Sequence, residues 1–191
     1  MTSPSLAPAA PGRRGRGKLI ALFVMFFGSM LLAGILRFSG WQPAGHRNHG
    51  ELLSPPVDLR AQAPHLADGA PYAWRPSERT WRIVLAPRAQ CLPACLAVAR
   101  DVDKVWQLLG HNAAKVDVLW IGTPPAGLPP MAGLRVLRDD PALRAALPGV
   151  DDAHGTPVYV IDPNGFVILR YAPGFDAGGL REDLAKLLKL M

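Results

Sequence analysis

The segment 19–36 constrains this chain most, because it decides on which side of a membrane the rest of the chain folds. It contains 18 consecutive residues without a charge, which is just long enough to cross a bilayer as a helix. The basic residues Arg13, Arg14, Arg16 and Lys18 precede it, and no acidic residue occurs before Glu51. Since basic residues stay on the cytoplasmic side, the pattern predicts a cytoplasmic tail over 1–18 and a transmembrane helix over 19–36. The competing interpretation is a cleaved signal peptide; an uncleaved anchor is favoured because the apolar run is longer than a typical signal core and no clear cleavage site follows before Arg37. In a bacterium this predicts a single-pass inner-membrane protein with a periplasmic carboxyl-terminal domain.

The distribution of charge argues against a nucleic-acid partner. The chain has a net charge of +6, but residues 1–50 hold six basic residues and no acidic ones. Residues 51–191 carry fifteen basic and fifteen acidic side chains, so this part of the chain has no net charge. The excess of positive charge therefore serves membrane orientation, and we expect no nucleic acid among the partners.

The two cysteines of the chain, Cys91 and Cys95, are four residues apart. They follow a strand-like run over 81–86 and begin a helical pattern that ends at Gly110. Side chains at this spacing lie on one face of a helix, and the positive end of the helix dipole lowers the pKa of a thiol there. The pair is therefore interpreted as a redox dithiol or as two soft metal ligands. The competing interpretation is a pair of small core residues or a purely structural disulfide.

The remaining sequence predicts a proline-rich tether over 37–71 and one α/β domain over 72–191. Apolar and turn patterns predict strands at 81–86, 115–122, 134–137, 157–161 and 166–171. Helices are predicted at 92–109, 141–147 and 179–190. The turn sequence of residues 162–165, Asp-Pro-Asn-Gly, joins the last two strands as a hairpin. Such an order indicates a mixed central sheet covered by helices.

This order of elements, with a cysteine pair at the head of its first helix, resembles the thioredoxin fold. The run from Gly155 to Gly165 resembles the segment in which thioredoxins place a cis-proline before a strand and a turn glycine. The resemblance implies that Pro157 follows a cis peptide bond and packs against the thiols of Cys91 and Cys95. The predicted fold class is therefore α/β, a thioredoxin-like domain behind a single transmembrane helix.

Within that superfamily the chain resembles the Sco/SenC proteins, which are membrane-anchored copper chaperones for cytochrome c oxidase. The resemblance rests on the CxxxC spacing, the amino-terminal anchor, and the position of His154 before the strand and turn. It implies copper as a ligand, with Cys91, Cys95 and His154 as its candidate ligands. It also implies cytochrome c oxidase subunit II or oxidase assembly factors as partners. Asp151 and Asp152 are candidates to orient the His154 ring.

Three functions remain open from the sequence. The first is assistance to cytochrome c oxidase assembly, either by copper delivery or by reduction of copper-site thiols. The second is a general membrane-tethered thiol-disulfide oxidoreductase of the cytochrome maturation type. The third is an interaction scaffold whose cysteines form a structural disulfide and carry no chemistry.

The charge pattern around 19–36 predicts the topology of the chain directly. A reporter enzyme that is active only outside the cytoplasm, fused after Leu190, should be active, because the basic tail holds the amino terminus inside. A matched fusion to a reporter that is active only in the cytoplasm is the control and should be silent. Activity of the cytoplasmic reporter alone would contradict the orientation.

Overall fold

The computed structural model of this protein describes residues 14–39, 48–88 and 93–190. Its elements are, in chain order, α1 (Arg14–Phe38), β1 (Glu51–Asp58), β2 (Trp81–Leu85), α2 (Pro93–Leu108), β3 (Val116–Ile121), β4 (Leu134–Leu137), α3 (Pro141–Ala145), β5 (Val158–Ile161), β6 (Phe166–Tyr171) and α4 (Ala177–Leu188). Two short 3₁₀ helices, Pro76–Glu78 and Gly110–Lys115, precede β2 and β3. The α/β order predicted for the domain is confirmed.

Helix α1 belongs to the first of two compact units, Met1–Gly45 and His46–Met191, into which the chain divides. Over Arg16–Phe38 it presents 23 residues that are long and apolar enough in sequence to cross a membrane. Its large apolar side chains are exposed rather than packed against other protein groups. The predicted apolar helix is therefore present, and its composition suits a lipid environment.

The second unit is built around a six-stranded sheet with the order β1-β6-β5-β2-β3-β4. Strand β2 pairs in parallel with β3, which pairs in parallel with β4. On its other edge β2 pairs with β5 in antiparallel fashion, and β5 continues through the hairpin to β6. All five residues of β2 are buried, as expected of a strand that has neighbours on both edges and both faces.

The two faces of the sheet carry separate hydrophobic cores. The front core joins Ile83 and Leu85 of β2 to the buried faces of α2 and α4. The back core contains Val84 of β2 and packs against Leu143 of α3 and the buried Leu59. Because successive side chains of a strand point to opposite faces, the apolar run of β2 supplies both cores at once.

Strand β1 lies in the stretch 37–71 for which the sequence predicts a tether, and the structure differs from that prediction. It pairs with β6 at Glu51 and Leu52, and again at Val57 and Asp58, with an irregularity between them. The irregular part contains two consecutive prolines, which are tolerated because β1 is an edge strand with few ladder bonds to lose. The prolines hide the strand pattern, and the folded unit therefore begins before residue 72.

A buried carboxylate attaches the start of this unit to α4. Asp183, 2% exposed, accepts hydrogen bonds from the backbone N–H groups of His49 at 2.6 Å and Gly50 at 3.1 Å. It also accepts from the Tyr171 hydroxyl at 2.8 Å and from Lys186 Nζ at 3.2 Å. Burial raises the pKa of Asp183, but these donors outweigh it and lower the pKa below its usual value.

Removal of this carboxylate should destabilise the domain. Asp183→Ala leaves buried donors without an acceptor and should lower the free energy of unfolding by about 3 kcal/mol at pH 7. Because the folded-state pKa is lowered, the stabilisation is complete above the unfolded-state pKa near ~4 and is lost as the pH falls through the folded value. Urea unfolding at pH 7 and at pH 3 should therefore show a smaller difference from wild type at pH 3.

The matched control is Asp101→Ala, since Asp101 is exposed on α2. Its effect should stay within about 0.5 kcal/mol. Equal losses in the two variants would contradict the anchoring role of Asp183.

Candidate functional site

The cysteine segment, defined as residues 89–95, follows the carboxyl end of β2 in the chain and runs into the first turn of α2. Cys95 is the third residue of α2, is 5% exposed and is disulfide-bonded. The other cysteine of the chain, Cys91, lies outside the described residues. Pro93 occupies the first position of α2, where its missing N–H has no helical partner to lose. Cys95 therefore lies where the sequence predicts it, in the first turn of the helix that follows β2.

Pro157 lies at the same end of the sheet, because Leu85 at the end of β2 is paired with Val158 at the start of β5. Pro157 is buried. Among the described residues the cis peptide bond is Ser54–Pro55, and Thr156–Pro157 is not cis. The prediction of a cis bond at Pro157 is wrong, and the trans form is the one that X–Pro bonds ordinarily prefer. The predicted contact of Pro157 with the thiols stays a prediction.

His154 lies in the turn before β5, and its side chain is 89% exposed. Its backbone N–H donates to Asp152 Oδ1 at 3.0 Å, and its ring Nδ1 lies 3.1 Å from the same oxygen. Because an ionised carboxylate only accepts hydrogen bonds, Nδ1 is the donor in this contact, and in the neutral ring Nε2 is then the nitrogen that carries the lone pair. These two contacts, together with Arg170, lower the pKa of Asp152. The predicted orientation of His154 by an acidic neighbour is thus provided by Asp152.

Arg88, the last described residue before the cysteines, is hydrogen-bonded to the His154 turn. Its guanidinium donates to the backbone carbonyl of Asp151 and, at 2.8 Å, to that of Asp152. Arg170 of β6 holds the far side of the same turn, since it donates to Asp152 Oδ2 at 2.8 Å and to the Pro148 carbonyl at 3.1 Å. The chain just before the cysteines and the turn that carries His154 are therefore fixed to each other.

Arg144 of α3 holds the exit of β2. Its Nη1 donates to the carbonyls of Ala86 and Pro87, both at 3.0 Å, while Nε and Nη2 contact Asp139 Oδ1 at 3.2 and 3.1 Å. The guanidinium thus satisfies carbonyls that have left the sheet ladder. Sequence reasoning missed both Arg88 and Arg144. A basic residue directly after a buried strand was the available signal for Arg88, whereas no local pattern pointed to Arg144.

A cleft of about 390 Å³ opens at this end of β2 and β3. It is lined by Pro87, Arg88, Ile121, Gly122, Thr123, Asp139, Arg144 and Asp151. Two guanidinium groups and two carboxylates face it, so its charges balance. The cleft lies where the chain leaves β2 between a parallel and an antiparallel neighbour, and ligands of open α/β sheets bind outside such strand ends.

The predicted metal ligands are only partly within the described structure. In the described ranges no three His, Cys, Asp or Glu side chains form a group that could hold a metal ion. Cys91 lies outside those ranges, so the set of Cys91, Cys95 and His154 stays a prediction. The disulfide at Cys95 means that copper ligation by its sulfur requires prior reduction, because the thiolate is the metal-binding form.

Comparison with known proteins identifies the fold. The family model described as "Transmembrane-like, thioredoxin-like, C-terminal domain" matches residues 81–191. No curated protein matches the chain significantly. The match covers every element from β2 to α4 and therefore includes the cysteine segment and the His154 turn.

Solved structures with the same fold include two members of the Sco family. BsSco, described as a member of the Sco family of cytochrome c oxidase assembly proteins, is 12% identical, with 74% of this chain and 98% of that chain covered and a TM-score of 0.53. A SCO1/SenC family lipoprotein from Bacillus anthracis is 15% identical, with a TM-score of 0.51. The match covers 71% of this chain and 98% of that chain. The protein Trgpx is 12% identical, with a TM-score of 0.50. The match covers 69% of this chain and 95% of that chain. The predicted thioredoxin-like fold and its likeness to Sco/SenC proteins are confirmed.

Arg144 should be required for a stable strand exit. Arg144→Ala leaves the carbonyls of Ala86 and Pro87 without their donor and should lower the free energy of unfolding by about 2 kcal/mol. Arg144→Lys keeps a charged donor and should recover some of this stability. The recovery should be incomplete, because an ammonium group lacks the planar fork that reaches several acceptors. Amide hydrogen exchange just after β2 should accelerate in the alanine variant. Arg181→Ala, an exposed arginine of α4, is the control, and an equal effect there would contradict the assignment.

Proposed function

Because the chain belongs to the family of transmembrane-like, thioredoxin-like C-terminal domains, we propose that it is a membrane-anchored thiol-disulfide protein. Its function is carried by the pair Cys91 and Cys95, which cycles between a disulfide and a dithiol. The observation that carries the proposal is the disulfide-bonded, buried Cys95 in the first turn of α2, directly after the central strand.

The proposed chemistry is thiol-disulfide exchange with a client protein. The reduced pair attacks a client disulfide through one sulfur and forms a mixed disulfide, which the second sulfur then resolves. The client leaves with two thiols, and the pair is left as a disulfide. We assign the attack to Cys91, which precedes α2, and the resolving step to Cys95, which is buried. The helix dipole favours the thiolate form of a cysteine at this position.

The proposed client is the assembling cytochrome c oxidase, through subunit II or its assembly factors. Support comes from the likeness to BsSco, whose family is described as cytochrome c oxidase assembly proteins. Further support comes from the CxxxC spacing, from the apolar helix α1, and from the position of His154. The proposal places α1 in a bacterial inner membrane with the amino terminus in the cytoplasm and the domain in the periplasm.

Copper is the proposed cargo of the reduced protein. Cys91, Cys95 and His154 would hold it, because thiolates suit Cu(I) and an added imidazole also suits Cu(II). The geometry at His154 fits this assignment, since Asp152 fixes the ring through Nδ1 and leaves Nε2 available. Arg88 holds the His154 turn to the cysteine segment, which would keep the three ligands at one end of the sheet.

The experiment compares metal binding with disulfide reduction in the full chain in detergent micelles. The reduced protein should bind about one Cu(I) through its two thiolates, and Cys91→Ser or Cys95→Ser should abolish this binding. His154→Ala should abolish Cu(II) binding while reduction of a model protein disulfide is retained. His111→Ala is the matched control, because His111 is exposed and lies in the 3₁₀ helix before β3; it should bind both ions normally.

Each alternative has its own outcome. Unchanged Cu(I) binding in both cysteine variants would end the copper proposal. Weak, non-stoichiometric copper binding with full disulfide reductase activity would favour a general oxidoreductase. A double Cys91→Ser, Cys95→Ser variant that still supports oxidase assembly in cells would favour the scaffold.

A further inference from the structure

Within the described part of the chain, the indole N–H of Trp120 is a buried donor without an acceptor. Trp120 is 0% exposed in the middle of the sheet, and its Nε1 has no hydrogen-bond partner in the described part of the chain. Other indoles are satisfied: Trp74 donates to the Gln62 carbonyl at 2.9 Å and Trp106 to the Val116 carbonyl at 2.7 Å. Burial of an unpaired polar group costs free energy, and such groups in native proteins call for an explanation.

The register of the sheet places Trp120 at the carboxyl end of β2, after which the chain leads into α2. Trp120 is paired with Leu85, the last residue of β2, and Leu85 is paired with Val158, the first residue of β5. These three residues form one row across the sheet and belong to the front core, which also contains Cys95. Since α2 follows the carboxyl end of β2 and packs on this face, its first turn covers the end of the sheet at which this row lies.

We propose that the Trp120 indole N–H donates a hydrogen bond to the sulfur of Cys95 when the cysteine pair is reduced. The inference rests on the proposed redox function and adds a residue that sets its equilibrium. In the disulfide form, which the structure describes at Cys95, the donor has no acceptor among the described residues. A donor that is satisfied in only one redox state favours that state.

Reduction of the disulfide makes the Cys95 sulfur available as the acceptor for the Trp120 N–H. Two molecules of glutathione give the protein disulfide two electrons and two protons, so that the S–S bond breaks and glutathione disulfide and a protein dithiol form. The freed Cys95 sulfur is no longer held by its bond and can rotate about χ1. It also carries more electron density than a disulfide sulfur and accepts a hydrogen bond better.

The test measures the redox equilibrium of the full chain in detergent micelles against glutathione buffers. In Trp120→Phe the equilibrium constant should shift about tenfold toward the disulfide, which corresponds to a reduction potential about 30 mV more negative for a two-electron couple. Phe keeps an aromatic ring at this position but removes the donor and part of the buried volume, and a control with the same change in side-chain volume separates the two effects.

The matched control is Trp106→Phe. Trp106 donates to a backbone carbonyl of β3, and that bond does not involve the cysteines. Its loss should lower stability equally in the oxidised and reduced proteins and leave the potential unchanged. A potential shift as large in Trp106→Phe as in Trp120→Phe would overturn the inference.

A second measurement on the wild-type chain keeps the inference testable if Trp120→Phe does not fold. The ¹⁵N-indole resonance of Trp120 should shift on reduction, and its hydrogen exchange should slow, because the N–H gains an acceptor. An unchanged potential in a folded Trp120→Phe, or an unchanged indole resonance, would overturn the inference alone. A wild-type pair that glutathione cannot reduce and reoxidise would overturn the proposed function together with it.

Discussion

The position of β2 at the centre of the sheet is the constraint on which the rest of the structure depends. Its five residues are buried, and it is hydrogen-bonded to β3 on one edge and to β5 on the other. Such a strand cannot shift its register without moving both cores. Helix α2, which carries Cys95 in its first turn, follows β2 in the chain, so the position of Cys95 depends on the most constrained strand of the domain.

Charged groups then organise the end of β2 where the sheet ladder stops. Arg144 donates hydrogen bonds to the backbone carbonyls of the two residues that follow β2. Arg88 donates to backbone carbonyls in the turn that carries His154. At the opposite end, the buried Arg82 donates to the Tyr72 hydroxyl and to the Asp162 and Pro163 carbonyls. Guanidinium groups suit these places because their several donors serve more than one acceptor at once.

The sequence was sufficient for the elements whose signals are local. The hairpin between β5 and β6 was predictable because Asp162 accepts from the Asn164 and Phe166 N–H groups, and Gly165 has the positive φ that the turn requires. Strand β1 was not predictable, because its consecutive prolines remove the alternating pattern. The isomer of the Thr156–Pro157 bond, the burial of Arg82 and the contacts of Arg144 depend on partners that are distant in sequence, which periodicity cannot reveal.

The prolines of β1 have a consequence for copies of the chain that share a membrane. Confinement by α1 would bring such copies together in two dimensions, where an open strand edge invites association into mixed sheets. At the β1 edge, Pro55 and Pro56 have no N–H to offer to a neighbouring strand. The β1 edge is therefore a poor template for pairing with the same edge of a neighbouring copy.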